Sequence, residues 1–299
     1  MLNTQCKKAV WRPQFYIWHV LAITFVAALV CGHFTSQRPS EKPQRPSENV
    51  RLIAAHVIHQ SGGAFYFEDE LVPDGWPKNL FNYDPAMTER VDRVSSGRGV
   101  VAMVQCCNSR LGDDGLQKIS KLSEIRNLDI GDCFITDSGI KYLAQLSDLK
   151  ILRLDGTQVD DNGLKYLACL QRLTKLYLCR TKVSDGGIRH LLNLRTLKVL
   201  YSPQLQISDE SVAQITKALK LCDLTLDGAF LSKKGLRSFA SCNELTSLCI
   251  ANLSASEDVL RELSNAIPTC HIIANGKGWF QGKRDDIHKG DSIHIKGTR

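Results

Sequence analysis

No Cys-x-x-Cys pair occurs in this sequence although it holds 11 cysteines, and no cysteine and histidine cluster has the spacing of a zinc site. An odd count also fits poorly with a fully paired disulfide framework. Gly-x-Ser-x-Gly, a phosphate-binding Gly-Lys-Ser/Thr loop and His-Glu-x-x-His are absent as well. Those absences argue against the common hydrolase, nucleotide-binding and zinc-peptidase classes, leaving an enzyme as the minor alternative. His56 and His59 fall at helical spacing, where a core or surface role outweighs ligation or catalysis. Nor is there a long run of one charge sign: 38 basic residues are scattered among 31 acidic ones, for a net charge of +7. No nucleic acid, small-molecule substrate, metal or cofactor is expected. With 43% hydrophobic and 23% charged residues, most of the 299-residue chain can bury enough apolar surface to fold.

One uncharged stretch stands out. Phe15 to Cys31 carries no formal charge, and Gly32, His33 and Phe34 extend it toward the twenty or so residues of a membrane-spanning helix. Lys7, Lys8 and Arg12 precede it, and Trp11, Tyr16 and Trp18 sit where aromatic rings favour the headgroup boundary. The run exceeds the about 7–15 residues of a cleaved signal core, so residues 15–34 are expected to be a retained signal-anchor after a short segment 1–14. Arg38, Lys42 and Arg45 nearly balance the basic residues before it; the repeat region is expected on the extracytoplasmic side because an N-terminal signal-anchor commonly exports the remainder of its chain. Residues 35–50, with a repeated Arg-Pro-Ser, read as a disordered linker.

Beyond the linker the chain repeats itself. Leu128-x-Ile130-x-x-Cys133-x-Ile135-Thr136-Asp137-x-Gly139-Ile140-x-x-Leu143-x-x-Leu146 returns as Leu152, Leu154, Thr157, Val159, Asp161, Gly163, Leu164, Leu167 and Leu170, and again from Leu176. The period is 24 residues. Extended both ways it gives seven units from Val104, with Ile272 opening a terminal strand, so that residues 104–273 form one array. Leu-x-Leu alternates as a strand does, whereas Gly-Leu-x-x-Leu-x-x-Leu suits a short helix. Thr136, Asp160, Ser184, Ser208, Ser232 and Ser256 supply oxygens at helix entrances, and Asp113, Asp137, Asp161, Asp185, Asp209 and Glu257 are read as acids at the positive ends of those same helices. That reading outweighs calcium binding by the acidic stretches, because the acids recur in register with the helix starts.

These units match the short bacterial leucine-rich-repeat pattern with Thr/Ser-Asp-x-Gly-Leu, and residues 51–273 resemble membrane-anchored leucine-rich-repeat proteins of planctomycete-type bacteria. The resemblance implies an α/β solenoid, a curved parallel sheet with short helices outside, entered through a capping region at residues 51–103. Within it Arg51 to Gln60 reads as a helix, and Ser61 to Phe67 as a glycine turn leading into a strand. Such a cap covers the hydrophobic end of the first repeat. The far units are weaker: Ser202 replaces a strand leucine, Lys233 an acid, and Ala255 and Val259 break the last unit. Residues 274–299, rich in Lys and Arg, are expected to be a flexible basic tail, with docking of Trp279 and Phe280 on the last repeat as the alternative.

The register also names a surface. Side chains between the strand leucines face one side, in a central column Gln105, Asp129, Arg153, Tyr177, Tyr201, Thr225 and Cys249. Tyr177 and Tyr201 fall in adjacent strands, about 4.8 Å apart, with Arg153 next. Tyrosine and arginine are favoured interface anchors. Asp129, Arg153, Asp155, Lys175, Tyr177, Tyr201 and Asp227 are therefore the candidate protein-binding residues of a membrane-tethered interaction module. A substrate adaptor of the ubiquitin-ligase type is the alternative, although residues 35–100 offer no F-box. Cys106, Cys133 and Cys242 take core positions, and the face cysteines Cys107, Cys179 and Cys249 are too far apart for disulfides.

Overall fold

The computed structural model describes residues 47–67, 101–228 and 230–285. The expected membrane segment, residues 15–34, lies outside the described residues, as do residues 35–46 of the expected linker, whereas its last residues, Glu48 to Val50, belong to the first helix and not to a disordered segment. No helix among the described residues is long and apolar enough to cross a membrane.

The described residues build an 11-stranded sheet in which every strand pairs with its neighbours in sequence. β1 (Ala64–Phe67) pairs antiparallel with β2 (Val101–Gln105). From β2 onward the pairing is parallel through β3 (Asn127–Asp129), β4 (Ile151–Arg153), β5 (Lys175–Tyr177), β6 (Val199–Gln206), β7 (Asp223–Asp227), β8 (Ser247–Ala251) and β9 (His271–Ala274). Val104, Leu128, Leu152, Leu176, Leu200, Leu224, Leu248 and Ile272 are successive partners, each 24 residues after the last. All eight are buried, in one continuous core that runs from Ala54 to Trp279. At about 1.5–3 kcal/mol per fully buried leucine, this column and its helical counterparts carry the stability of the array.

Short helices form the opposite wall: α2 (Asp113–Ile119), α3 (Asp137–Ile140), α4 (Asp161–Leu164), α5 (Ile188–Leu191), α6 (Asp209–Ala218), α7 (Lys233–Ser238) and α8 (Glu257–Ala266). In the second, third and sixth repeats a 3-10 turn continues the helix, at Lys141–Gln145, Lys165–Cys169 and Phe239–Ser241. Thr136, Asp160, Ser208 and Ser232 cap these helices and Ser184 caps the 3-10 turn Asp185–Gly187 that leads into α5, each accepting a backbone N–H two or three residues on, whereas Ser256, expected in the same role, makes no such bond.

The acidic column stands in the first turns of the helices, as read from the sequence, and five of its members also reach across to the next repeat. Asp113 Oδ1 accepts the N–H of Thr136 at 2.9 Å, and its Oδ2 accepts the Thr136 hydroxyl at 2.6 Å. Asp161 binds Ser184 in the same two-pronged way, at 2.7 and 2.6 Å, and Asp209 binds Ser232. Asp137 and Asp185 accept the N–H groups of Asp160 and Ser208, both at 3.0 Å. Each carboxylate therefore ties one repeat to the next by holding the cap residue that starts the following helix.

Both ends of the array are closed. α1 (Glu48–Gln60) packs Ala54, Ala55 and Ile58 into the core ahead of β1, and its Arg51 reaches Glu124 of the first repeat at 2.8 Å with a side chain only 3% exposed. At the other end the chain turns back as β10 (Lys277–Phe280), antiparallel to β9, and β11 (Lys283–Asp285), antiparallel to β10. The expectation of a flexible tail from residue 274 is thus corrected as far as Asp285, because Trp279 is an apolar plug, 1% exposed, that seals the last repeat. Residues 286–299 lie outside the described residues. The weak far units keep the register: Ser202 is buried and donates to the Leu178 carbonyl, while Leu205 enters the core at an irregularity between Tyr201 and Gln206.

Candidate protein-binding face

The strand face is built by the register. Asp129, Arg153, Tyr177, Tyr201, Thr225 and Cys249 are consecutive cross-strand partners, so side chains 24 residues apart in sequence become nearest neighbours. Arg153 stands at its centre. Its Nε and Nη2 donate to Asp155 Oδ2 at 3.2 and 2.9 Å, which holds the guanidinium flat, and on its other side it lies 5.2 Å from the centre of the Tyr177 ring. Tyr177 in turn meets Tyr201, with ring centres 5.9 Å apart and planes tilted by 47°. The result is a continuous row, carboxylate to guanidinium to two phenols, across three strands.

Exposure varies along that row, with Tyr177 half-buried between Arg153 and Tyr201. Asp155 is buried, the Arg153 side chain is 37% exposed, and Tyr201 is 38% exposed, one of the few large apolar side chains on the described surface. Burial pushes both phenols above their ordinary ionisation range, so the row presents neutral hydroxyls and one cation. Lys175 is half-buried beside it, in register with Val199 and then Asp223. Burial raises the Asp223 carboxyl, and the Lys175 charge opposes that shift.

The three carboxylates expected on this face sit deeper than the sequence suggests. Asp129 is 5% exposed and accepts the Gly131 N–H at 3.1 Å; burial raises its carboxyl against that hydrogen bond and Arg153. Asp155, 6% exposed, uses Oδ1 to accept the Cys179 N–H of the next repeat at 2.7 Å. Asp227, also 6% exposed, accepts Asn252 Nδ2 at 2.9 Å. These carboxylates hold turns, which leaves Arg153, Lys175, Tyr177 and Tyr201, of the seven expected residues, as the side chains open to solvent.

The rim holds a pair that the sequence reading did not single out. Arg180 Nη2 meets both oxygens of Asp132, two repeats away, at 2.8 and 2.9 Å. Between them lies Gly156, where a Cβ would fall on Asp132 Oδ1, so the pair closes over the missing side chain. Asp132, Gly156 and Arg180 all adopt left-handed backbone, with φ of 52, 68 and 55°. Their 24-residue spacing was the available signal. Among the described residues no group of His, Cys, Asp or Glu is arranged to hold a metal ion.

A family model described as leucine-rich repeat matches residues 125–144 and 145–168. No curated protein is similar enough in sequence to count as a relative. Among solved structures, the chain is similar to internalin C2 from Listeria monocytogenes, with 20% identity, a TM-score of 0.46, and coverage of 79% of this chain and all of that one. It is also similar to a leucine-rich-repeat protein from Leptospira interrogans, with 16% identity and a TM-score of 0.41, covering 61% of this chain and half of the other. Leucine-rich-repeat domains generally act as protein-interaction modules, through the extended surface that stacked strands create. The matched repeats, the parallel register from β2 to β9 and the leucine core together give this stretch of the chain the fold of a leucine-rich-repeat solenoid.

Proposed function

We propose that this protein is a membrane-tethered interaction module that captures a protein partner on its strand face, centred on Arg153, Tyr177 and Tyr201. The observation that supports the reading is the Arg153–Tyr177–Tyr201 row. Its guanidinium and rings are already fixed by Asp155 and by each other, so a partner that covers them costs little side-chain ordering. Fixed aromatic and arginine side chains of this kind are the usual anchors of interfaces. Lys175 adds a positive charge at the edge, and the buried carboxylate of Asp155 holds Arg153 in place.

The tether is carried by the uncharged run from residue 15 to 34, with the repeat domain on the extracytoplasmic side, in the manner of the planctomycete-type anchored proteins that the sequence resembles. Two experiments separate the parts of this reading. A photo-crosslinking residue at position 177 joins the partner in intact cells, and the Tyr177→Ala, Tyr201→Ala double variant loses that partner at least tenfold, about 1.4 kcal/mol, with its melting temperature nearly unchanged. Unaltered capture by the double variant removes this face from consideration. Protease protection in sealed vesicles reports the tether and its orientation whatever the face binds.

A further inference from the structure

On the helical wall, behind the strand face, three consecutive repeats present a cation followed by a ring at the same position, Lys–Tyr twice and then Arg–His. Lys141 Nζ lies 4.9 Å from the centre of the Tyr142 ring, and Lys165 Nζ lies 5.0 Å from that of Tyr166. One repeat on, Arg189 Nε approaches His190 Nε2 at 3.4 Å. The three cations are exposed and the rings beside them half-buried, so each pair has a greasy base and a charged tip. The turns that carry them pack side by side, at the about 8–10 Å of neighbouring helices.

This row is unneutralised. Lys141, Lys165 and Arg189 form no ion pair among the described residues, and the stretches 138–146, 162–170 and 186–194 contain no acidic residue. The acids that precede them, Asp137, Asp161 and Asp185, are turned into the ladder that holds the next repeat. The row then stops. The next repeat has Ala213 at this position, and farther along Arg237 and Arg261 are paired with Glu262 and Asp258. Here three repeats of seven keep their cations bare and set an aromatic ring beside each.

We propose that the ridge of Lys141–Tyr142, Lys165–Tyr166 and Arg189–His190 docks on an anionic lipid surface. Three features favour that occupant. Cations beside amphipathic rings are the composition that settles at the headgroup boundary. The ridge is an open row of exposed cations one repeat apart, so it suits charges that move laterally to meet it and does not demand a partner of matching fixed spacing. It also lies on the wall opposite Arg153, Tyr177 and Tyr201, so contact with lipid leaves the strand face free. The inference stands apart from the strand-face reading, since neither set of residues contributes to the other.

The test uses the full chain with a photo-crosslinking residue at exposed Gln145, and vesicles of phosphatidylcholine alone or with about a third phosphatidylglycerol. Crosslinking reads lipid at the ridge itself, whether or not residues 15–34 insert elsewhere. Each cation near such a surface contributes about 1 kcal/mol, or about fivefold. Lipid adducts should therefore form on the anionic vesicles and fall by about a hundredfold in a Lys141→Gln, Lys165→Gln, Arg189→Gln variant whose melting temperature is unchanged. A Lys141→Arg, Lys165→Arg variant should keep them, which guards against loss by misfolding. Equal adducts on neutral vesicles, or undiminished adducts in the glutamine variant, overturn the proposal. Stronger crosslinking to polyglutamate or to a single-stranded oligonucleotide than to the anionic vesicles overturns it too, in favour of a polymeric anion.

Discussion

A Cβ on Gly235 would fall on the carboxylate of Asp209, one repeat earlier, because that carboxylate reaches across to Ser232 through the space a side chain would fill. Gly139, Gly163 and Gly187 stand in the same relation to Asp113, Asp137 and Asp161. In this column glycine is there to make room. Two units vary the pattern: Val259 stands at the glycine position where Lys233 replaces the acid, and Ser211 stands there beside Asp185, which accepts only the backbone N–H of Ser208. Gly235→Ala should cost about 1–3 kcal/mol, since the carboxylate or the helix has to move. Adding Asp209→Ala should return part of that loss, a coupling of about 0.5–3 kcal/mol measurable by chemical denaturation of the four-member cycle. Strict additivity of the two changes would show that the contact is not what excludes a side chain.

The ladder has one irregular rung, and it makes stability depend on pH. Thr136, Ser184 and Ser232 offer a hydroxyl to the preceding aspartate, whereas Asp160 offers a second carboxylate to Asp137. Burial and the Asp160 carboxylate hold the Asp137 carboxyl above its ordinary range, against the N–H of Asp160. A carboxyl raised on folding contributes stability below its folded value and loses it as pH rises through that value. Asp137→Asn removes the repulsion while its amide oxygen still accepts from Asp160. The variant should therefore melt higher than the parent at about pH 7, and the gap should narrow toward about pH 4 as Asp137 gains its proton. Asp161→Asn is the control, because Ser184 already donates there; it should lower stability by about 1 kcal/mol. A gap for Asp137→Asn that does not vary with pH would mean that the two carboxylates do not interact.

Register is legible in the sequence. A 24-residue spacing without slippage fixes parallel pairing, because only in register do Leu128, Leu152 and Leu176 share a column. The same spacing brings Arg153, Tyr177 and Tyr201 together on one face. Depth is another matter. Asp129, Asp155 and Asp227 occupy face positions by periodicity, but a short carboxylate beside a turn bends back to the nearest backbone or amide N–H and is covered. Direction is equally hidden: an aspartate at the first turn of a helix looks like a partner for its own helix, and the cap residue it holds lies 23 positions later. The closing strands were missed from residue 274 because their hairpin carries lysines and glycines, with Trp279 as the single large anchor.

Thiol chemistry offers a map of which parts of the solenoid open. All nine cysteines in the described residues are free. Burial raises the Cys106 thiol far above its usual range, Cys270 to about 12 and Cys242 to about 11, so almost none of the reactive thiolate exists there at neutral pH. Cys107 and Cys169 are exposed. A maleimide at about pH 7 should accordingly modify Cys107 and Cys169 in the native protein, and Cys106, Cys133 and Cys270 only as the protein unfolds, as read by mass spectrometry of the peptides. Cys106 is the informative position. Its Sγ occupies the place where a Cβ of Gly63 would be, directly under the turn that leads into β1. If Cys106 is labelled well before Cys270, the N-terminal cap lifts away while the repeats stay folded; simultaneous labelling means that cap and repeats open as one unit.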